Sequence, residues 1–177
     1  LSLDGIDLED VNFANDGKIL NSTFTNSQVS LTSGGSGSLV SGNIFNSPTK
    51  NNLFLSNCYY LVIEDNQFHG QNGIYFQSGQ FQNTAIWGRI ENNTFESCEN
   101  GIMSRFVWQS RPSRYQVFDN YFGNCSSYAI DWGYGMSCNV WKNIFYHNAG
   151  TDNSSSGSQC KQYNWGQPLY QITWTIN

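Results

Sequence analysis

The chain has 177 residues, of which 38% are apolar and 12% are charged, and its net charge is −5. That length suffices for one domain, and plentiful Gly, Asn and Ser beside only three Pro are typical of short strands joined by many turns. The acidic balance leaves no basic surface for a phosphate backbone, and no apolar run reaches the roughly 20 residues that span a bilayer. We therefore expect an all-β protein that neither binds nucleic acid nor inserts into a membrane.

A repeat is under way early in the chain. One phrase occurs five times, in which an aliphatic residue and two variable residues precede Asn-x-Phe. After a weaker copy at Leu20, the copies run from Val40 to Phe45, Ile63 to Phe68, Ile90 to Phe95, Val117 to Phe122 and Val140 to Phe145. From Phe24 onward, the Phe residues are separated by 21, 23, 27, 27 and 23 residues. Uneven spacing is natural for stacked coils whose turns differ in length, so the repeat predicts a solenoid.

Each phrase has a physical interpretation. The aliphatic residue and the Phe point inward from short strands, while the Asn between them takes the left-handed conformation that bends the chain. Coils stacked at about 4.8 Å then place the Asn amides in hydrogen-bond contact and the Phe rings in file. A second inward phrase, at Gly73-Ile74, Gly101-Ile102 and Ala129-Ile130, gives each coil at least two sheets. Because apolar residues do not recur at helical spacing, we predict a right-handed parallel β-helix.

The pattern changes after Asn148. Residues 151–159 are rich in Ser and Gly, and residues 170–176 alternate strictly, which predicts a half-buried strand. Such a strand can cap the open end of the solenoid or pair with a neighbouring protomer. We therefore predict β-helix coils over residues 1–148, and a loop with a short irregular cap or inter-subunit strand over residues 149–177. Because the chain opens at Leu1 without Met, we expect a processed product or a piece of a longer protein.

The repeat also carries a family resemblance. The phrase as it stands from Ile63 to Ile74, Ile90 to Ile102 and Val117 to Ile130 resembles the repeat of right-handed parallel β-helix proteins of the pectate-lyase-like superfamily, above all bacteriophage tailspikes and polysaccharide depolymerases. The resemblance covers roughly residues 8–148. It implies an extracellular or virion protein that binds or cleaves long polysaccharides along its side, as a homotrimer in the tailspikes. No catalytic motif of the family transfers residue by residue.

The two longest coils are adjacent, and their extra residues form loops over residues 76–88 and 104–115. We expect these loops to project side by side. Aromatic faces bind the C–H surfaces of sugars, and Arg forks hold carboxylates. The candidate ligand-binding residues in and beside the loops are Trp87, Arg105, Trp108, Arg111, Arg114 and Trp132. In the alternative interpretation, the aromatic side chains pack on the solenoid and the Arg residues keep the loops soluble.

Three acids are candidate catalytic residues. Glu64 and Glu91 occupy the same position of consecutive coils, so their backbones lie about 5 Å apart. The acid and the nucleophile of a retaining glycosidase are separated by a similar distance, and such a pair can also ligate a cation. Stacked acids on a solvated strand are the alternative. Asp131 stands where Tyr75 and Met103 stand in the previous coils. It can act as a general acid or base if it faces a groove, or it is a hydrogen-bonded turn residue.

The remaining reactive side chains predict no metal and no cofactor. His69 and His147 lie three coils apart and cannot share a metal ion, so we expect both to be surface residues. Cys98 and Cys125 share an offset in adjacent coils. Stacked Cβ vectors run parallel and disfavour a disulfide, so we expect free thiols.

Three functions are compatible with these features. The first is a polysaccharide-binding β-helix that resembles a tailspike and recognises host-surface glycans along the side that bears the loops. The second is a polysaccharide lyase or glycosidase. The third is a structural solenoid in a virion or an extracellular fibre. Solvent exposure of Trp87 and Trp108 favours the polysaccharide-binding function, whereas their burial favours the structural solenoid.

Overall fold

The computed structural model describes residues 2–4, 7–13, 17–34, 37–56, 58, 60–77, 87–105, 113–132, 136–149, 160–162 and 173–175. Within these ranges, every regular element is a β-strand. The strands are β1 (Ser2–Asp4), β2 (Leu8–Phe13), β3 (Lys18–Leu20), β4 (Thr23–Thr25), β5 (Val29–Gly34), β6 (Leu39–Ser41), β7 (Ile44–Leu55), β8 (Leu61–Glu64), β9 (Gln67–Gln77), β10 (Trp87–Glu91), β11 (Thr94–Arg105), β12 (Ser113–Phe118), β13 (Tyr121–Gly123), β14 (Tyr128–Trp132), β15 (Met136–Trp141), β16 (Ile144–Tyr146), β17 (Cys160–Gln162) and β18 (Thr173–Thr175).

These strands form two sheets in which every pairing is parallel. The seven-stranded sheet has the order β18-β15-β12-β10-β8-β6-β3. The other sheet has 11 strands, and its long members β7, β9 and β11 bend at register shifts, so that each contributes to two parts of the coil. Because each strand pairs with the equivalent strand of the next coil, the chain winds as a parallel β-solenoid. The all-β solenoid predicted from the repeat is confirmed.

A stack of Phe rings runs through the core. Consecutive ring centroids lie 4.7 to 5.2 Å apart and the rings are nearly parallel, in the order Phe24, Phe45, Phe68, Phe95, Phe122 and Phe145. These contacts match the strand spacing, so every added coil extends the stack by one ring. Gly73 and Gly101 leave space for the rings of this stack because they have no side chain. A Cβ atom on either glycine would lie within 2.7 Å of the ring of Phe95 or Phe122.

A ladder of buried asparagines accompanies the Phe stack. In Asn43, Asn66, Asn93 and Asn120, the backbone N–H and the side-chain amide both donate to the Oδ1 atom of the next ladder residue, at 2.9 to 3.0 Å. Asn143 is the last residue of the ladder, and its Oδ1 atom accepts both bonds from Asn120. The amide groups also donate to strand carbonyls, as Asn93 does to Ile63 and Glu91 at 2.9 Å. The predicted amide contact between coils is confirmed.

The position of the left-handed corner differs from the prediction. The residue with positive φ is the one directly before each ladder asparagine, namely Gly42, Asp65, Asn92, Asp119 and Lys142, with φ from 54° to 68°. The corner therefore lies one residue earlier than predicted. The ladder asparagines are free to turn inward because an exposed neighbour takes the bend.

The structure contains a second amide ladder that the sequence analysis did not predict. Asn72 donates from Nδ2 to Oδ1 of Asn51 at 2.7 Å, and Asn100 donates in the same way to Asn72 at 2.9 Å. Each of these residues stands two positions before an inward aliphatic residue. That shared offset is the signal in the repeat that could have identified the ladder.

The C-terminal segment adds strands to both sheets. In the described residues, β17 pairs with β14, and β18 pairs with β15 so that Trp174 lies in register with Val140. The strand predicted over residues 170–176 is therefore a parallel rung of the seven-stranded sheet at Thr173–Thr175. The division of the chain at residue 148 stays a prediction.

Three cysteines lie in the core. Cys58, Cys98 and Cys125 are buried and free, which confirms the prediction of free thiols at the last two positions. Burial raises the pKa of Cys58 and the pKa of Cys125 to about 12. The thiolate is therefore rare in each case, and these cysteines act as small apolar side chains.

We expect Asn93→Ala to lower the free energy of unfolding by roughly 2–4 kcal/mol, because it leaves the backbone N–H and the amide of Asn66 without their acceptor. The matched control is Asn92→Gly, which keeps the positive φ of the exposed neighbour and should change stability by less than about 0.5 kcal/mol. Urea unfolding followed by circular dichroism measures both. Equal losses of stability in the two variants would contradict the assignment of Asn93 to the ladder and of Asn92 to the corner.

We expect Cys58, Cys98 and Cys125 to resist a thiol reagent at neutral pH until the chain unfolds, because burial disfavours the reactive thiolate. Of the five cysteines, at most two should react in the native protein, and all five after denaturation. Counting released thiolate before and after adding guanidinium tests this. Fast native reaction of three or more thiols would show that the core opens.

Candidate ligand-binding face

The two long loops start and end on adjacent rungs. Gln77 lies in register with Arg105, where β9 and β11 end, and Trp87 lies in register with Arg114, where β10 and β12 are paired. The described strand ends on either side of residues 78–86 and 106–112 therefore lie on adjacent rungs, while the prediction that the two loops project side by side falls outside the described residues.

The six predicted ligand-binding residues are only partly located. The backbones of four of them lie in strands β10, β11, β12 and β14, namely Trp87, Arg105, Arg114 and Trp132. Their side chains are outside the described part of the structure, and so are Trp108 and Arg111 altogether. Their role in binding stays a prediction, as does the exposure of the loop tryptophans.

A column of acidic and aromatic side chains lies on the outer face of the seven-stranded sheet, close to the loop bases. Glu64, Glu91, Phe118 and Trp141 follow one another in register on β8, β10, β12 and β15. We call these four residues the acid–aromatic column. The rings of Phe118 and Trp141 stack with centroids 4.6 Å apart and planes 9° apart. Both rings are half-buried, so part of each remains open to solvent.

The two glutamates are neighbours, as the sequence predicts, but one of them is paired. Arg89 Nη2 lies 3.2 Å from Glu91 Oε1. The two side chains share the outer face because they flank inward Ile90, which is fully buried. The Arg89 side chain is 49% exposed and that of Glu91 is 14% exposed. The guanidinium group therefore offsets the repulsion between stacked carboxylates while keeping donors available to a ligand.

Polar side chains continue the row that Arg89 begins. Arg89, Gln116 and Asn139 lie in register on β10, β12 and β15, and all three are exposed. The row runs parallel to the acid–aromatic column, two residues away along each strand. Amide and guanidinium groups thus lie beside two stacked rings, an arrangement suited to a ligand with both apolar faces and hydroxyl groups.

Asp131 belongs to a different surface. It lies in register with Met103, which lies in register with Tyr75, so it takes the predicted position in its coil. This column sits on the eleven-stranded sheet, where Phe54 and Tyr75 stack at 5.7 Å. Asp131 is only 2% exposed, so a ligand reaches its carboxyl group only if the covering groups move. The structure therefore brings Glu64 and Glu91 together but leaves Asp131 on the other sheet.

Sequence reasoning missed Arg89, Phe118 and Trp141. A signal for the two aromatic residues exists in the repeat, because each of them follows the inward aliphatic residue directly, at the offset of Glu64 and Glu91. Comparing the residue at that offset in every coil would have predicted one continuous outer column. Arg89 could have been found as the outward residue two positions before Glu91.

Comparison with known families agrees with the fold. A family model described as a right handed beta helix region matches residues 1–112. Since the match covers more than half of the chain, the protein belongs to this family of right-handed β-helices. Comparison with curated proteins and with solved structures gives no significant match. Among the residues that the structure describes, no helix is long and apolar enough to cross a membrane.

We expect Arg89→Met to lower the free energy of unfolding by up to about 1 kcal/mol at low salt, because Glu64 and Glu91 then face each other without a cation. At about 1 M salt the loss should shrink, since the Debye length falls to about 3 Å. Arg89→Lys keeps the charge and serves as the control. A loss that is independent of salt would show that Arg89 acts through packing.

Proposed function

We propose that this protein binds an extended polysaccharide along the outer face of the seven-stranded sheet, on the side where the two long loops emerge. The observation that carries the proposal is the stacked pair Phe118 and Trp141, in register with Glu91 and beside the exposed donors of Arg89 and Gln116.

The chemistry of this face matches that of a sugar chain. Aromatic rings pack against the apolar C–H faces of pyranose rings, while guanidinium and amide groups bond the hydroxyl groups around their edges. The acid–aromatic column repeats at about 4.8 Å, so successive sugar units of a chain that runs along the solenoid meet successive rungs. A rigid parallel sheet also keeps these groups in place before binding, which lowers the entropic cost of association.

The resemblance of the repeat extends this proposal to biological context. In that context the protein is extracellular or part of a virion, it recognises host-surface glycans as a tailspike-like receptor-binding protein, and it acts as a homotrimer. The loop residues, with Trp87, Trp108 and their Arg neighbours, would then add contacts at the edge of the same face.

The adjacent glutamates favour a second candidate, cleavage of the bound chain. Retaining glycosidases hold two carboxyl groups about 5–5.5 Å apart, and in-register positions on neighbouring strands lie about 4.8 Å apart. Against this stands Arg89, whose Nη2 lies 3.2 Å from Glu91 Oε1 and so occupies one carboxylate oxygen of the pair. Binding without cleavage is therefore the primary proposal.

We expect Trp141→Ala to lower affinity for the bound polysaccharide by about tenfold, because it removes a central aromatic contact. Titration calorimetry against purified neutral and uronate-containing bacterial polysaccharides measures this. Tyr146→Ala, which removes an exposed ring from the other sheet, is the matched control and should bind normally.

Parallel assays for new reducing ends and unsaturated uronates separate the alternatives. Cleavage that disappears in Glu64→Gln or Glu91→Gln would make the protein an enzyme. Equal loss of binding in Trp141→Ala and Tyr146→Ala would contradict the location of the site. Failure to bind any polysaccharide would leave the structural solenoid as the better account.

A further inference from the structure

A second cluster of acidic and aromatic side chains lies on the eleven-stranded sheet, away from the acid–aromatic column. It comprises Glu96 on β11, Tyr121 on β13, Asn124 directly after β13, Tyr146 at the end of β16 and His147 directly after it. We call these five residues the Glu96 patch. The patch spans three consecutive rungs, because Glu96, Gly123 and Tyr146 lie in register.

The glycine in this row lets the Glu96 carboxylate and the Tyr121 phenol group lie directly over the backbone of β13. A Cβ atom on Gly123 would lie 2.3 Å from Glu96 Oε2 and 2.7 Å from the hydroxyl oxygen of Tyr121. The carboxylate and the phenol group therefore converge over the bare Gly123 backbone. Asn124 holds the other carboxylate oxygen, since its Nδ2 donates to Glu96 Oε1 at 2.7 Å. Oε2 thereby stays beside the Tyr121 ring.

Aromatic and apolar surface surrounds this acid. Tyr146 is 48% exposed and stacks on His147 with ring centroids 3.9 Å apart, and Ile144 on the same strand is 62% exposed. Burial, followed by the charge of Glu96 and the nearby Tyr146, raises the pKa of Tyr121. The phenol of Tyr121 is therefore a neutral donor and ring face beside the carboxylate.

The charge of Glu96 is not neutralised within the described part of the chain. The ion pairs found there are Lys50 with Asp7 and Arg89 with Glu91, so neither involves Glu96. A carboxylate flanked by tyrosine rings attracts a cation through both charge and the π faces. The net charge of −5 on the whole chain acts in the same direction.

We propose that the Glu96 patch binds the protonated amine of an amino sugar. The ammonium group lies against the solvent side of the Glu96 carboxylate and the Tyr121 ring, and the apolar face of the sugar packs on Tyr146 and Ile144. These two exposed side chains suit the apolar face of a pyranose ring, which favours a sugar over a flexible lysine side chain as the carrier of the amine.

The test uses the full chain and β-1,4-linked glucosamine oligomers, with their fully N-acetylated counterparts as the neutral match. We expect the glucosamine oligomers to bind and the acetylated oligomers to bind at least about tenfold more weakly, because acetylation removes the cation. Glu96→Gln should weaken amine binding about fivefold, equivalent to roughly 1 kcal/mol, while Asp65→Asn, which changes an exposed acid at a corner, should not change it. Nuclear magnetic resonance titration measures such modest affinities.

A second variant tests the geometry without changing any charge. Gly123→Ala places a methyl group where Glu96 Oε2 and Tyr121 converge, so it should weaken binding of the glucosamine oligomers as much as Glu96→Gln does. Thermal melts of both variants establish that they are folded. Unchanged binding in folded Gly123→Ala or Glu96→Gln would overturn the proposal, as would equal binding of the acetylated oligomers or of a lysine homopeptide of equal charge.

Different variants test the amine-binding proposal and the polysaccharide-binding proposal, so that either proposal can fail while the other holds. Trp141→Ala should leave the shifts that the glucosamine oligomers cause at Tyr121 and Tyr146 intact, because Trp141 lies on the seven-stranded sheet, whereas Tyr146→Ala should lower affinity at the Glu96 patch about threefold. Loss of amine binding in Trp141→Ala, with Tyr146→Ala unaffected, would place the amine on the acid–aromatic column and overturn the assignment to the Glu96 patch.

Discussion

The asparagine ladder fixes the register on which the rest of the structure depends. From Asn43 to Asn120, each ladder residue donates with both its backbone and its side chain to a single oxygen of the next coil, so a one-residue slip would break buried bonds that no solvent can replace. The Phe stack alone would tolerate small shifts, because ring stacking is broad in geometry. Directional bonds and apolar contact together align every coil.

This alignment turns sequence variation on the outside into ordered surfaces. The four residues that follow the inward aliphatic residues form one column, although they differ in chemistry from Glu64 to Trp141. The coils differ in length, but the described strands keep their register because the ladder restores it at the next corner. Two chemically distinct faces, the acid–aromatic column and the Glu96 patch, thus coexist on one rigid frame.

The fold was predictable because its determinants repeat. The Asn-x-Phe phrase predicts the ladder, the ring stack and the parallel sheets, and register gives the adjacency of Glu64 and Glu91 without any coordinates. The corner was misplaced by one residue, because Asn tolerates positive φ and the inward role of the ladder amide outweighs that preference. The burial of Asp131 and the contact of Arg89 with Glu91 depend on side-chain packing between coils, which no repeat encodes.

The most direct test of the central claim is to map where a polysaccharide touches the protein. In a nuclear magnetic resonance titration with the neutral polysaccharide that binds best, the account predicts shifts at the Trp141 indole, the Phe118 ring and the Arg89 guanidinium. Resonances of Tyr146 and Ile144 should stay in place, because they lie on the other sheet. Shifts confined to the other sheet, with Trp141 unmoved, would contradict the account.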